Sequence, residues 1–377
     1  MEFDFAKTLS DMVAARASDL HLTPGNPPML RVRGAVKPME GYPELTPQQT
    51  RDVVYSILND DQRKRFENLK ALDFAYAIPG IARFRVNTYF QRGAISAALR
   101  HTPDQIPALE DLGLPAVMRE FTQKPRGFVL VTGPTGSGKT TTLASMVDII
   151  NREREEHILT IEDPIEFLHK HQSCIVNQRE IGSDAPDFAS ALRSALRQDP
   201  DVILVGEMRD LETVSTALTA AETGHLVFAT LHTQSAAQTV DRVIDIFPTH
   251  QQAQVRMQLS VALQGIVTQQ LLPTADGSGR AVAVEVLVPT PAIRNLIREG
   301  KTHQIYSAIQ TSGATGMQTM DSHLVSLVRQ GKITRTLAEQ RASIPEELKR
   351  LLGGDENGAQ QPAQPAQAGA PQNITYA

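Results

Sequence analysis

Phe128-Val129-Leu130-Val131-Thr132-Gly133-Pro134-Thr135-Gly136-Ser137-Gly138-Lys139-Thr140 is the stretch whose reading decides the fold of this chain. It opens as a short apolar strand. It continues with G-x-x-x-x-G-K-[ST] in full and leads into a helical run starting near Thr140, the strand–loop–helix setting that a phosphate-binding loop requires. The glycines let backbone N–H groups turn inward on an anion, and the helix N-terminus adds the positive end of its dipole. Gly133, Pro134, Thr135, Gly136, Ser137 and Gly138 are the expected cradle, with Thr141 beside it at the helix start. Lys139 is expected to reach the β- and γ-phosphates and Thr140 to ligate Mg²⁺, so ATP and Mg²⁺ are the expected cofactors.

Outward from the loop, apolar runs at Phe128–Thr132, Ile158–Ile161, Val202–Val205 and Leu226–Leu231 alternate with helical patterns. Continuous apolar strands separated by helices predict an α/β fold with a parallel sheet covered on both faces. Two strands end in acids: His157 to Glu166 carries Glu162, Asp163 and Glu166, and Val202 to Glu207 ends on Glu207. Ligands of open α/β sheets sit beyond the carboxyl ends of the strands, where these acids emerge. One acid is expected to hold Mg²⁺ and one to orient or deprotonate the attacking water. His225 and His232 bracket the strand Leu226–Leu231. Their odd separation points them to opposite faces of a straight strand, so they are not expected to share a metal. His232 lies at the carboxyl end and is a candidate γ-phosphate sensor. His225 lies at the other end and reads equally as a structural or interface histidine or as a catalytic one.

Residues 1 to 100 mix helix and strand signals and predict a small α+β domain. Thr46-Pro47 opens a helix as N-cap and first residue. Phe74–Ile78 and Ala82–Asn87 flank Pro79-Gly80 as a hairpin, with Arg83, Arg85 and Asn87 on one face of the second strand. Residues 101–118, with Pro103, Pro107, Gly113 and Pro115, read as a linker, and 119–352 as the core with C-terminal helices. The tail 353–377 is rich in Gly, Ala, Gln and Pro and is expected to be disordered.

Among 377 residues the formal charge is −5, which weighs against nucleic acid as a partner. The one cysteine, Cys174, excludes a disulfide framework within the chain and a Cys-rich zinc site, and suits a reducing cytoplasm. Met1 to Lys7 lacks the basic start and apolar stretch of a signal peptide. No uncharged apolar run approaches the roughly 18 residues that cross a bilayer, so any work at a membrane is expected to go through docking. Arginines are the remaining candidates, because P-loop enzymes often take one from another domain or subunit. The pair Arg83 and Arg85 on one strand face stands out. Arg92, Arg100, Arg193, Arg197 and Arg209 are further candidates.

With these residues in place, four ordered stretches resemble the type II/IV secretion ATPase superfamily. They are Gly133–Thr140, Ile161-Glu162-Asp163-Pro164-Ile165-Glu166, Leu196 to Asp210, and Thr223 to Thr233. They correspond to the Walker A, Asp, Walker B and His boxes, and the resemblance runs from about residue 1 to 352. Ala292-Ile293-Arg294-Asn295-Leu296-Ile297-Arg298-Glu299 resembles the motif of its pilus-retraction branch. The additional N-terminal domain and tetracysteine motif of the extension and secretion ATPases are not expected here.

The resemblance implies a homohexameric ring in which a PAS-like N-terminal domain sits on a RecA-like core, with ATP between them. It implies Glu207 as general base, Glu162 with Mg²⁺ and Glu166 in support. Arg83, Arg85 and Arg100 are then γ-phosphate contacts from the N-terminal domain. It further implies a cytoplasmic motor docked at the inner-membrane platform protein of the pilus machine, with a paralogous ATPase as a candidate further partner and no direct membrane insertion. Ala292, Ile293, Leu296 and Ile297 form an apolar stripe at helical spacing, which the resemblance turns into an expected working surface. The rivals are an accessory retraction ATPase, which residues 292–299 argue against, a DNA-handling RecA-like motor and a nucleotide-binding scaffold without turnover.

Overall fold

The structure, a computed structural model, describes residues 3–32, 34–78, 82–102 and 105–353. The expected Pro79-Gly80 turn, Arg33, Pro103 and the tail from 354 onward lie outside the described residues.

Local signals set the N-terminal elements. Helix α1 (Phe5–Ala14) starts at Asp4, whose carboxylate accepts from the Lys7 backbone N–H at 2.9 Å. Strands β1 (Asp19–Leu22), β2 (Met29–Val32) and β3 (Ala35–Pro38) follow. Helix α2 (Pro47–Ser56) begins as expected, with Thr46 and Gln49 forming a reciprocal capping box. Then come α3 (Asp60–Leu69), β4 (Ala71–Ile78), β5 (Ala82–Gln91) and β6 (Ala94–Thr102). The six strands form one antiparallel sheet in the order β3-β2-β1-β6-β5-β4. Alternation along β5 divides its faces: Phe84 and Val86 are buried with Leu9, Met12 and Phe66, while Arg83 and Arg85 lie on the other face. Register places Arg85 beside Arg100, and Arg100 beside Asp19.

The second sheet grows from the phosphate-loop strand. Its elements are α4 (Val117–Thr122), β7 (Gly127–Thr132), α5 (Lys139–Glu153), β8 (His157–Glu162), β9 (Ile175–Glu180), α6 (Phe188–Ala195), β10 (Val202–Val205), α7 (Leu211–Thr223) and β11 (Leu226–Leu231). They continue with α8 (Ala236–Asp245), α9 (Thr249–Ala262), β12 (Leu263–Pro273), β13 (Arg280–Leu287), α10 (Pro291–Arg298), α11 (Ile305–Thr311), α12 (Met320–Arg329), α13 (Arg335–Arg341) and α14 (Pro345–Leu352). The strand order is β13-β12-β7-β11-β10-β8-β9. Every pair is parallel except β12 with β13, which run antiparallel because a tight hairpin joins them at residues 274–279. The four strands read from sequence pair parallel as expected, and the hairpin adds an antiparallel edge. Strands β7, β10 and β11 are buried along their whole length, as a sheet covered on both faces requires. Helices α4 and α5 cover one face through Met118, Phe121, Met146 and Ile150. Helices α6 to α11 cover the other through residues including Leu192, Leu218, Val240, Leu259 and Ile305.

Helix α10 carries the expected apolar stripe, and its neighbours narrow the expected working surface to the face that stays exposed, with Ala292, Asn295, Arg298 and Glu299. Ile293 and Ile297 are fully buried in the core and Leu296 is packed against it. Spacing identified the apolar stripe correctly, but the sheet-side core claims it. The described residues contain no helix long and apolar enough to cross a membrane.

Candidate nucleotide site

The cradle folds as its glycines demand. Gly133, Gly136 and Gly138 all take positive φ, at 138°, 78° and 88°. Gly133 is also pressed from below: a Cβ there would lie 2.3 Å from the backbone oxygen of Gln269 on β12. Lys139, the first residue of α5, folds back on the loop, and its Nζ donates to the carbonyls of Gly133 at 2.8 Å and Pro134 at 3.1 Å. Burial pushes the Lys139 ammonium pKa down, while Glu207 and Glu166 pull it back up.

Two adjacent parallel strands, β8 and β10, deliver the acids. Gly206 lets them converge, because its backbone N–H donates to Ile161 O at 2.7 Å and a Cβ there would crowd Ile161 O and the Glu162 Cα at 3.1 and 3.3 Å. Glu162, at the end of β8, is 8% exposed and accepts from Thr160 Oγ1 at 2.6 Å and Gln178 Nε2 at 3.1 Å. Burial pushes its carboxyl pKa up; the Thr160 and Gln178 bonds oppose that rise, and the charge of Glu166 adds to it. Glu207 follows β10. Arg209 grips it through two bonds of 2.6 Å, one to each oxygen, and His232 Nε2 lies 3.0 Å from its Oε1. The Arg209 hydrogen bonds hold the Glu207 carboxyl below the usual range, against burial, and His232 helps them.

These groups line one cavity of about 630 Å³. Thr135 to Thr141 form its floor, and Glu162, Asp163, Glu166, Glu207, Arg209 and His232 stand around it. Arg85 reaches it from the N-terminal sheet. The convergence of Glu162, Glu166, Glu207 and Thr140 suits a divalent cation shared with phosphate oxygens. Among the described residues no group of three or more His, Cys, Asp or Glu side chains is arranged to hold a metal by itself. Mg²⁺ at nucleotide sites does not need such a cage, since it takes one or two protein ligands plus phosphates and water. The inward-turned loop and half-buried Lys139 likewise suit a polyphosphate.

Other expected residues are placed elsewhere. Arg83 does not line this cavity; its Nη2 is 2.7 Å from Glu180 Oε2 at the end of β9, and both side chains are largely buried. Arg100 pairs with Asp19 at 2.9 Å and remains exposed on its own sheet. The His225 ring Nδ1 lies 3.0 Å from the carbonyl of Ala220 in the last turn of α7, away from the cavity. The structural alternative for His225 is the one this geometry matches. Three residues that sequence reasoning passed over belong to the site. His169 lines the cavity, Gln178 bonds Glu162, and Gln269 supports the loop from β12. A signal for Gln269 was present: Thr268-Gln269-Gln270 stands between the apolar pairs Ile266-Val267 and Leu271-Leu272, and buried polar groups need partners.

Known proteins share this architecture. The family described as "Type II/IV secretion system protein" matches residues 2–344. The type IV pilus retraction ATPase PilT of Pseudomonas aeruginosa is 53% identical over 343 residues, covering 91% of this chain and 99% of that one. The type IV pilus ATPase PilU of the same organism is 44% identical over 93% of this chain and 91% of its own length. A crystal structure of the pilus retraction motor PilT with bound ADP superposes with a TM-score of 0.88 at 51% identity, covering 93% of this chain and all of that one. The phosphate cradle, the paired acids of β8 and β10 and this extent of similarity agree, and the chain belongs to the type II/IV secretion system protein family of ATPases.

Proposed function

We propose that this chain is the ATPase motor that retracts type IV pili and so drives twitching motility. The observation that carries the motor reading is the shared cavity: the cradle and the acids come from one sheet, and Arg85 enters from the other. Any change of charge inside the cavity is therefore felt by both units at once. The direction of work, retraction, rests on the similarity to PilT, and the lower similarity to PilU favours the motor over its accessory rival.

In this reading Lys139 exchanges its bonds to Gly133 and Pro134 for phosphate oxygens. Glu207, ionised because Arg209 holds its pKa down, orients the attacking water and accepts its proton. Thr140 and Glu162 would hold Mg²⁺, with Glu166 in support. A bound ion would supply positive charge against the phosphates. His232 positions Glu207 and senses the γ-phosphate, and Arg85 meets negative charge from the N-terminal side. The domain division expected from sequence, an N-terminal unit to residue 100, a linker at 101–118 and a core at 119–352, supplies the parts that close and reopen. The working form is a homohexamer in the cytoplasm, docked on a PilC-like platform protein at the inner membrane, with a PilU-like paralogue as a further partner. Neither nucleic acid nor membrane insertion belongs to this mechanism.

A deletion strain tests the direction. Loss of twitching with surplus surface pili, restored by the wild-type chain, is the expected outcome. Absent pili would assign the chain to extension instead. An ATPase rate stimulated by DNA at low salt would revive a DNA motor.

A further inference from the structure

We propose that Gln269 is the positioning residue of the phosphate cradle, holding both ends of the loop so that its N–H groups face the phosphates. This role rests on the ATP site proposed above and deepens it.

Gln269 sits on β12, beside the loop strand β7, and is 1% exposed. Its backbone oxygen lies directly under Gly133, where a Cβ would come within 2.3 Å. Its side-chain Nε2 donates to Ser137 O at 2.6 Å and lies 3.2 Å from the position of a Cβ on Gly138. The amide orientation follows from chemistry: Ser137 O is an acceptor, so the nitrogen must face it. One residue thus underlies the start and the end of the loop. The neighbouring Thr268 ties the same two strands together through a 2.8 Å contact between its hydroxyl and that of Thr132.

A trans peptide makes this contact directional. Its C=O and N–H point in opposite senses. Pinning Ser137 O down onto Gln269 therefore aims the Gly138 N–H up into the cradle, at the start of α5. That N–H is among the donors that meet an anion at a helix N-terminus. Without the Gln269 amide, Ser137 O loses a buried donor and the Ser137–Gly138 peptide is free to rotate. Gln269 touches no reacting atom; it acts through the loop.

A cradle that grips the phosphates equally before and during reaction contributes uniform binding, which appears in KM and not in kcat. Gln269→Met keeps the length of the side chain and removes the donor. Its KM for ATP and its Kd for ADP are expected to rise about tenfold, the weight of a hydrogen bond to a charged group. Its kcat should stay within about threefold of wild type. Wild-type KM and Kd in this variant would overturn the proposal, whatever its melting temperature.

Gln269→Glu supplies an independent readout. A neutral carboxylic acid can donate to Ser137 O and a carboxylate cannot. The ratio of its kcat/KM to that of wild type should fall as pH rises, and a flat ratio would overturn the proposal. Should Gln269→Met fail to fold, this series decides alone, since its low-pH end keeps the donor. A wild-type chain without Lys139-dependent ATP hydrolysis would instead overturn the ATP site itself, a failure separate from this one.

Discussion

Glu207 shows how much a single side chain can be over-determined. Arg209 takes both of its oxygens and His232 adds a third contact. Glu207→Gln keeps the shape and removes the base. Turnover is expected to fall by a factor of about 100 or more while ATP is still bound, which single-turnover kinetics and nucleotide titration would measure. Unchanged turnover removes Glu207 as base. Arg209→Ala should act in the opposite sense on pH. With its largest stabilising partner gone, the Glu207 pKa rises, and the acid limb of the kcat profile moves to higher pH. His169 bears on stability instead. Burial pushes its pKa from the ordinary 6.5 to about 4, so the folded state prefers the neutral ring. The stability this gives is complete above pH 6.5 and is lost as pH falls toward 4, because the unfolded chain binds the proton first. Melting curves of His169→Gln should therefore drop less than wild type between pH 6.5 and about 4.5.

At the scale of elements, α10 changes meaning. Its buried face, Ile293 and Ile297, holds the helix on the core, and Arg294 turns back to α9. There Arg294 donates to the carbonyls of Ser260 at 2.5 Å and Val261 at 2.9 Å, two of the acceptors that a helix end leaves unpaired. Helix α9 passes without a break into β12, the strand of Gln269. Arg298 is exposed and, among the described residues, bonds Asn295 within its own helix. The two arginines should separate experimentally. Arg294→Ala is expected to lose about 1–2 kcal/mol and a few degrees of melting temperature. Arg298→Ala should melt as wild type yet impair retraction in cells. Equal melting of both variants would remove the capping role of Arg294, and normal twitching in Arg298→Ala would place the coupling surface elsewhere.

For the whole molecule, the Arg83–Glu180 pair is the clearest tie between the two sheets. Both partners are shielded, and Glu180 also accepts from the Ile165 backbone N–H at 3.1 Å. Removing one member of a buried pair strands the other, at a cost of about 3–5 kcal/mol in well-buried cases. Arg83→Ala is therefore expected to loosen the N-terminal unit on the core, seen as faster proteolysis between residues 100 and 120. Adding Glu180→Gln should restore part of the resistance, because the stranded charge is gone. Wild-type proteolysis in Arg83→Ala would deny the pair this role.

What the linear chain determined by itself is local. The glycine pattern of 133–138, the apolar strands and their terminal acids, and the Thr46 cap are each specified by neighbours in sequence, so motif and periodicity suffice to read them. Tertiary structure decided what depends on distant partners. It turned Arg83 to Glu180, left Arg85 in the cavity, drew Ile293 and Ile297 inward and set Gln269 beneath the loop. Burial obliges the Arg83 charge and the Gln269 amide to find partners wherever the fold supplies them, and the removal of apolar surface from water draws Ile293 and Ile297 into the core. The phosphate cradle is therefore legible in 13 consecutive residues, whereas its support, more than 130 positions away on β12, becomes visible only once strand pairing brings it alongside.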